Sequence, residues 1–150
     1  MIMKKFAIIL SIFIATTMIL SSCGKYEEGP SFTLLSKTAR VTGVWTVTEV
    51  TVNGTVEDLE GMVMKTTLEK DGTGTMSMTW SGFTFTFDLE WEFDDAKENL
   101  RTRTKAADET EFGDWEEGEI IRLTNSECWV RTVETEGGVT VTTISKMTKE

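Results

Sequence analysis

Hydrophobic and polar residues alternate strictly between Phe83 and Phe93. Every second position is phenylalanine, leucine or tryptophan, whereas the intervening positions are threonine or acidic. A period of two residues places the two sets on opposite faces of a β-strand. The segment is therefore predicted to be an antiparallel strand with one face buried and the other in water.

The chain from Gly43 onward is rich in threonine, valine and aromatic residues, with turn-forming pairs at short intervals. This spacing predicts an all-β antiparallel fold. Residues 32–42 are predicted as a short helical turn, and residues 55–61 are a candidate for another. The eight predicted strands cover residues 43–53, 62–70, 74–80, 83–93, 99–105, 117–124, 127–134 and 139–147.

The turn lengths predict which residues face one another. If Ser81 and Gly82 form a two-residue turn, Trp80 pairs with Phe83, and apolar side chains then meet on one face. A three-residue loop at 71–73, with glycine at a bulge, avoids an apolar–polar mismatch in the preceding hairpin. A tight turn at 125–126 leaves Ile120, Arg122, Trp129 and Arg131 outside. The other predicted inner pairs are Met78 with Phe85, Met76 with Phe87, Leu68 with Met76, Met64 with Trp80, Leu123 with Cys128, and Ile121 with Val130.

The N-terminal residues have the three parts of an export signal. Lys4 and Lys5 precede the uncharged stretch 6–20, which is shorter than the ~20 residues of a spanning helix. The following Leu20-Ser21-Ser22-Cys23 resembles the lipobox of bacterial lipoproteins, a resemblance that implies cleavage before Cys23 and acyl chains, such as palmitate, on it. Two or more chains would anchor the protein firmly to a bilayer. The predicted organisation is 1–22 signal peptide, 23–35 lipidated cysteine and tether, and 36–150 barrel domain.

Acidic residues close to the lipidated cysteine resemble surface-export signals of some diderm bacteria. Here Glu27 and Glu28 occupy that place, and a merely solvated linker is the alternative. The predicted location is the outer membrane, either periplasmic or exposed at the cell surface.

The charge, the lack of histidine and the number of cysteines argue against several classes of function. Loss of residues 1–22 leaves 13 of the 15 basic residues against 25 acidic ones, a net charge of −12. This sign excludes nucleic acid as an expected partner, since phosphate binding needs basic side chains. The chain has no histidine, and Cys128 has no second cysteine besides the lipidated one. We therefore expect no enzyme, no catalytic residues, no cofactor and no disulfide.

Gly43-Val44-Trp45 opens the first strand directly after the helical lead-in. The motif resembles the Gly-x-Trp signature of lipocalins, and the whole mature chain resembles small lipocalin-like lipoproteins of diderm bacteria. The resemblance implies an up-and-down eight-stranded barrel that can hold a small apolar or amphipathic ligand. It also implies that Trp45 closes the bottom of the barrel beneath an arginine from the end of the barrel. The last predicted strand offers only Lys146 for this place, and Arg131 lies one strand earlier.

The apolar stripe of two strands is the candidate ligand site. Its members are Met76, Met78, Trp80, Phe83, Phe85, Phe87, Leu89 and Trp91. An eight-stranded barrel is either filled by such side chains or just wide enough for one small ligand, so a packed core is the alternative. A packed barrel would suit a non-enzymatic interaction or structural lipoprotein.

Four polar features are expected to have a structural or solvated role. The acidic run 108–119 is predicted to be a solvated loop, with calcium as the alternative, and no metal site is expected. The basic stretch with Lys97, Arg101, Arg103 and Lys105 would neutralise that run or receive an anionic headgroup. Cys128 is predicted to face inward as an inert thiol. The acids Asp88, Glu90 and Glu92 are predicted to face solvent.

Overall fold

The computed structural model describes residues 34–150, which form one short helix and nine strands. The signal peptide, Cys23, the acidic pair 27–28 and all of the tether except its last two residues lie outside the described residues. The elements are α1 (Lys37–Val41), β1 (Gly43–Val52), β2 (Thr55–Glu57), β3 (Val63–Leu68), β4 (Thr73–Trp80), β5 (Phe83–Phe93), β6 (Asn99–Ala106), β7 (Glu116–Leu123), β8 (Glu127–Glu136) and β9 (Val139–Lys149).

Eight of the strands form a closed antiparallel barrel. The ring order is β1, β3, β4, β5, β6, β7, β8 and β9, and β1 closes the ring by pairing with β9. The short β2 pairs only with the upper half of β1 and lies outside the ring order. The predicted all-β antiparallel barrel is thus confirmed. The helical turn considered for residues 55–61 is wrong, because residues 55–57 hydrogen-bond to β1 as a hairpin arm.

The hairpin between β4 and β5 has the predicted register. Trp80 faces Phe83, and the remaining pairs follow with apolar side chains on one face. Ser81 and Gly82 both adopt positive φ, as a tight two-residue turn of this kind requires. The two-residue turn at Ser81 and Gly82 therefore determines the register of β4 and β5.

The β3–β4 hairpin differs from its predicted register by two residues. Leu68 faces Gly74 instead of Met76, although both residues stay on the predicted face. The loop still has three residues but lies one position earlier, at 70–72, because the Glu69 amide donates to the Thr73 carbonyl. The Gly72 carbonyl accepts from the Trp91 amide. The same two-residue shift places Met64 opposite Met78 instead of Trp80.

A β-bulge changes the inner face of β7. Leu123 faces Cys128 as predicted, but the register shifts between Ile120 and Arg122. Ile120 consequently faces Val130 and is buried in the core, where Ile121 had been predicted. The assignment of Ile120 to the outer face is therefore wrong.

The lower end of the barrel, where β1 begins and β9 ends, is closed by α1 and by a cluster of buried side chains. This cluster, which includes Trp45, Leu123 and Cys128, is called the floor. Trp45 is almost fully buried there, and its indole N–H donates to the Val41 carbonyl at 2.6 Å. Neither Lys146 nor Arg131 lies over its ring, since Lys146 lies over Trp129 and Arg131 pairs with Glu119. The basic residue over the Trp45 ring is Lys149, whose Nζ lies 5.0 Å from the ring centroid.

The wall of the barrel is uneven in height. The β1–β3 ladder joins only residues 43–46 to 65–68, and the β6–β7 ladder joins only residues 99–102 to 116–119. In contrast, the β4–β5 and β8–β9 hairpins continue to the opposite, upper end, where their turns lie. The barrel is thus a cup with a closed floor and an irregular rim.

Candidate functional site

A cavity of about 340 Å³ lies above the floor inside the barrel. Its apolar lining comes from strands all around the ring, because closure turns one face of every strand inward. Sulfur-containing side chains contribute heavily to this lining, which makes it adaptable in shape. The principal apolar residues are Trp45, Met64, Met76, Leu89, Val130 and Met147.

The structure divides the predicted ligand stripe into four groups that differ in burial. Met76 and Leu89 border the cavity. Trp91 lies lower, in the buried core, where its indole N–H donates to the Glu69 carbonyl at 2.8 Å and its ring meets Phe93 edge-on. Met78 and Phe87 are half-buried and do not border the cavity.

The remaining three stripe residues lie at the rim. Trp80, Phe83 and Phe85 are 51%, 69% and 58% exposed, although they share the face that carries Leu89. The expectation that Phe83 and Phe85 are enclosed is therefore wrong. The reason is strand length, since β6 ends opposite Phe87 and leaves the upper part of β5 with no neighbour on that side.

Polar residues of the cavity were missed by the sequence reasoning. They are Thr66, Thr102, Thr104, Thr132 and Ser145, with Glu116 and Glu117 at the upper end. The signal that could have found them is period-two alternation from the buried residues Leu100 and Cys128, which puts threonines on the inner face. Threonine is so common in these strands that its inward and outward positions look alike in the sequence.

Gly118 makes room for the cavity wall to close. It is buried, and a Cβ on it would lie 2.3 Å from Val130 Cγ1 on the neighbouring strand. The adjacent Glu116 is exposed and pairs with Thr102 across the ladder. The carboxylate therefore stands at the open end of the cavity and not within its apolar part.

The basic residues of β6 occupy the outer face. Arg103 forms an ion pair with Glu90, and Lys105 lies 3.4 Å from Asp88. Arg101 pairs with Glu92, while its contact with Glu117 in the acidic run is longer, at 3.8 Å. These ion pairs mainly neutralise the acidic side chains of β5, and only Arg101 contacts the acidic run. They lie outside the barrel, so they do not form a headgroup site within it.

Aromatic side chains from the loop before β7 cover the ion pairs between β5 and β6. The Arg103 guanidinium lies 4.6 Å from the Trp115 ring and 5.2 Å from the Phe112 ring. The Gly113 amide donates to the Thr104 carbonyl at 3.0 Å, which holds the loop against β6. The outer face of β6 is therefore a covered structural surface.

Cys128 faces inward, as predicted, and is buried in the floor. Burial raises the pKa of its thiol to about 12, and the nearby Lys149 ammonium opposes this only in part. The thiolate needed for nucleophilic or redox chemistry is thus absent at neutral pH. Within residues 34–150, no group of three acidic or cysteine side chains is arranged to hold a metal ion.

No helix in the described part of the chain is long and apolar enough to cross a membrane. No protein-family model and no curated protein matches the chain. The closed eight-stranded antiparallel barrel, with Trp45 in its floor after a short helix, is consistent with a lipocalin-like fold.

Proposed function

We propose that this protein is a lipid-anchored binding protein of the lipocalin-like lipoprotein type, which holds a small apolar or amphipathic molecule inside its barrel. The observation that carries the proposal is the cavity of about 340 Å³ above a closed floor. This volume falls within the range of ligand pockets, near its lower end. Burial of apolar ligand surface would supply the affinity, at roughly 25 cal/mol per Å² less the cost of association.

A role without catalysis is part of the proposal. The chain has no histidine, and Asp88, Glu90 and Glu92 all lie on the outer face opposite basic partners. These carboxylates lie on the solvent side of the wall, away from the apolar interior where a catalytic carboxyl would be expected. The protein would therefore bind and release its ligand unchanged.

The binding test uses residues 24–150, since the closed wall and its floor lie wholly within residues 34–150. A neutral, environment-sensitive naphthyl dye is titrated into the fragment. Saturable fluorescence with micromolar affinity is expected. Thr132→Phe, which fills the cavity, should abolish it, whereas Val133→Phe, one residue along on the outer face, should not.

An unchanged dye affinity in a folded Thr132→Phe variant would place binding outside the cavity. It would favour a second candidate function, a cell-surface interaction protein. The observation that favours this candidate is the exposed aromatic tip formed by Trp80, Phe83 and Phe85. Complete failure of apolar probes to bind would point the same way.

The anchor is proposed at Cys23, from the lipobox that precedes it, and the proposed location is the outer membrane. Metabolic labelling with a palmitate analogue tests the anchor. The chain has two cysteines, so Cys128→Ala provides a matched control. Label should disappear in Cys23→Ala and persist in Cys128→Ala. Label retained by Cys23→Ala would refute the anchor.

A further inference from the structure

The inner face of the barrel carries carboxylates only toward its upper end. Glu116 borders the cavity, and Glu134 and Glu136 follow Thr132 at every second position of β8. Alternation places both of these glutamates on the cavity face of that strand. No ion pair among the described residues includes any of the three.

Basic side chains are distributed differently. On the barrel wall they lie on the outer face, in ion pairs such as Arg103 with Glu90, Arg131 with Glu119, and Lys146 with Glu49. Lys149 is the exception among the described strands, but it sits in the floor, where it donates to the Arg40 carbonyl at 2.7 Å. No basic side chain lines the cavity in the described barrel.

The exposed aromatic tip formed by Trp80, Phe83 and Phe85 lies across the mouth from the two glutamates of β8. In the ring order, β4 and β8 are four strands apart in an eight-stranded barrel, which places them on opposite sides. Trp80 on β4 therefore lies across the barrel from Glu134 and Glu136 on β8, and Phe85 on the adjacent β5 lies three strands from them. Aromatic faces and carboxylates both attract a cation, and apolar walls below them accept a hydrocarbon body.

We propose that the ligand of this cavity is a cationic amphiphile, an amine with an apolar body, and not a fatty acid or another anion. The amine would lie at the mouth among the inner-face carboxylates, and the apolar body would extend down toward Met76 and Leu89. This inference rests on the proposed binding function and specifies the charge of the ligand. A carboxylate headgroup at the mouth would meet like charge, and within residues 34–150 no basic side chain lines the cavity to pair with it.

The test compares three probes that share a ten-carbon chain: decylamine, decanol and decanoate, at neutral pH. Each displaces the neutral naphthyl dye from residues 24–150, and its affinity is measured at low and at high salt. We expect decylamine to bind roughly 10-fold more tightly than decanoate at low salt, a difference of about 1.4 kcal/mol. The ratio should shrink at 1 M salt, where the screening length falls to about 3 Å.

Paired variants identify the responsible carboxylates. Glu116→Gln with Glu134→Gln should reduce decylamine binding toward that of decanol and leave decanol unchanged. Glu119→Gln with Glu127→Gln removes the same charge from the outer face of the same two strands, where both glutamates pair with arginine, and should keep the preference. Folding of all variants is checked by thermal melts.

The outcomes separate the two proposals. Dye binding with equal probe affinities, or with decanoate the tightest, overturns the cationic ligand and leaves the binding function standing. A preference for decylamine that survives the inner-face double variant overturns the assignment to these carboxylates. Failure of the dye and all three probes to bind overturns the binding function, and the cationic ligand with it.

Discussion

Lys149, near the end of the last barrel strand, lies over Trp45, near the start of the first. Its Nζ is 5.0 Å from the indole ring centroid and 2.7 Å from the Arg40 carbonyl oxygen. Gly43 allows this approach, because a Cβ there would come within 2.7 Å of Lys149 Cε. The lysine thus connects α1, β1 and β9 at the floor, and burial lowers its pKa.

Lys149→Met should lower the free energy of unfolding by about 1–3 kcal/mol, because it leaves the Arg40 carbonyl without this donor and removes the cation from Trp45. Lys146→Met is a matched control, since Lys146 also lies over a tryptophan, Trp129, at 4.6 Å, but at the surface. The control should cost less than about 1 kcal/mol. Denaturant melts give both values, and equal losses would contradict a special role for the floor.

The two ends of β5 should respond differently to truncation. Leu89 is 3% exposed and belongs to the core, so Leu89→Ala should cost about 2–5 kcal/mol through lost burial and a residual cavity. Phe85 is 58% exposed at the rim, and Phe85→Ala should cost about 0.5 kcal/mol or less. A large loss of stability in Phe85→Ala would mean that the rim is packed against something in solution.

The Cys128 thiol should resist modification in the folded protein. Because burial raises its pKa to about 12, iodoacetamide at mildly alkaline pH should label it only after unfolding, as followed by mass spectrometry. The Cys23→Ala chain is used, so that Cys128 is the sole thiol. Labelling as fast as that of a free thiol would refute the buried position.

Alkaline pH provides a second readout of the same group. The folded pKa is raised, so its contribution to stability is complete below the unfolded value of 9.0 and is lost as pH rises toward about 12. In this window the unfolded chain releases a proton that the folded protein keeps. Cys128→Ala should therefore lose less stability between these pH values than the wild type does, as measured by thermal melts.

The loop before β7 should depend on Arg103. Arg103→Met removes the guanidinium that lies over Trp115 and Phe112, so the loop loses its cover of β6. Hydrogen exchange at the Gly113 amide should accelerate, while global stability changes by less than about 1 kcal/mol. Arg131→Met, which removes a cation paired with Glu119 on the same outer face, should leave this amide unchanged.

Local patterns in the sequence predicted the strands and faces well. The alternation between Phe83 and Phe93 and the Ser81-Gly82 turn determine the β4–β5 register, because a hairpin is set by residues close in sequence. The depth of each side chain depends instead on how far the neighbouring strand extends. β6 ends at Ala106, opposite Phe87, and nothing in the sequence of β5 indicates this end. The exposure of Phe83 and Phe85 was therefore not predictable from the pattern of β5.

Bulges limited the prediction in a different way. One bulge lies between Ile120 and Arg122, and another between Val47 and Glu49 on β1. Each moves the following residues by one position relative to the partner strand, which reverses their faces. Neither site has a glycine or other local marker, so Ile120 was assigned outward. Lys149 was overlooked as the residue over Trp45 because the predicted last strand ended at residue 147, whereas β9 continues to Lys149.

The two short ladders described for the wall divide the barrel into halves. The β1–β3 and β6–β7 seams have four strands between them on either side, β3 to β6 and β7 to β1. Both seams are confined to the lower part of the wall, whereas the β4–β5 and β8–β9 ladders run the full height. Parting of the barrel at its top would therefore break the fewest backbone hydrogen bonds along these two seams, and on the β6–β7 side the bond from the Gly113 amide to the Thr104 carbonyl would also have to break.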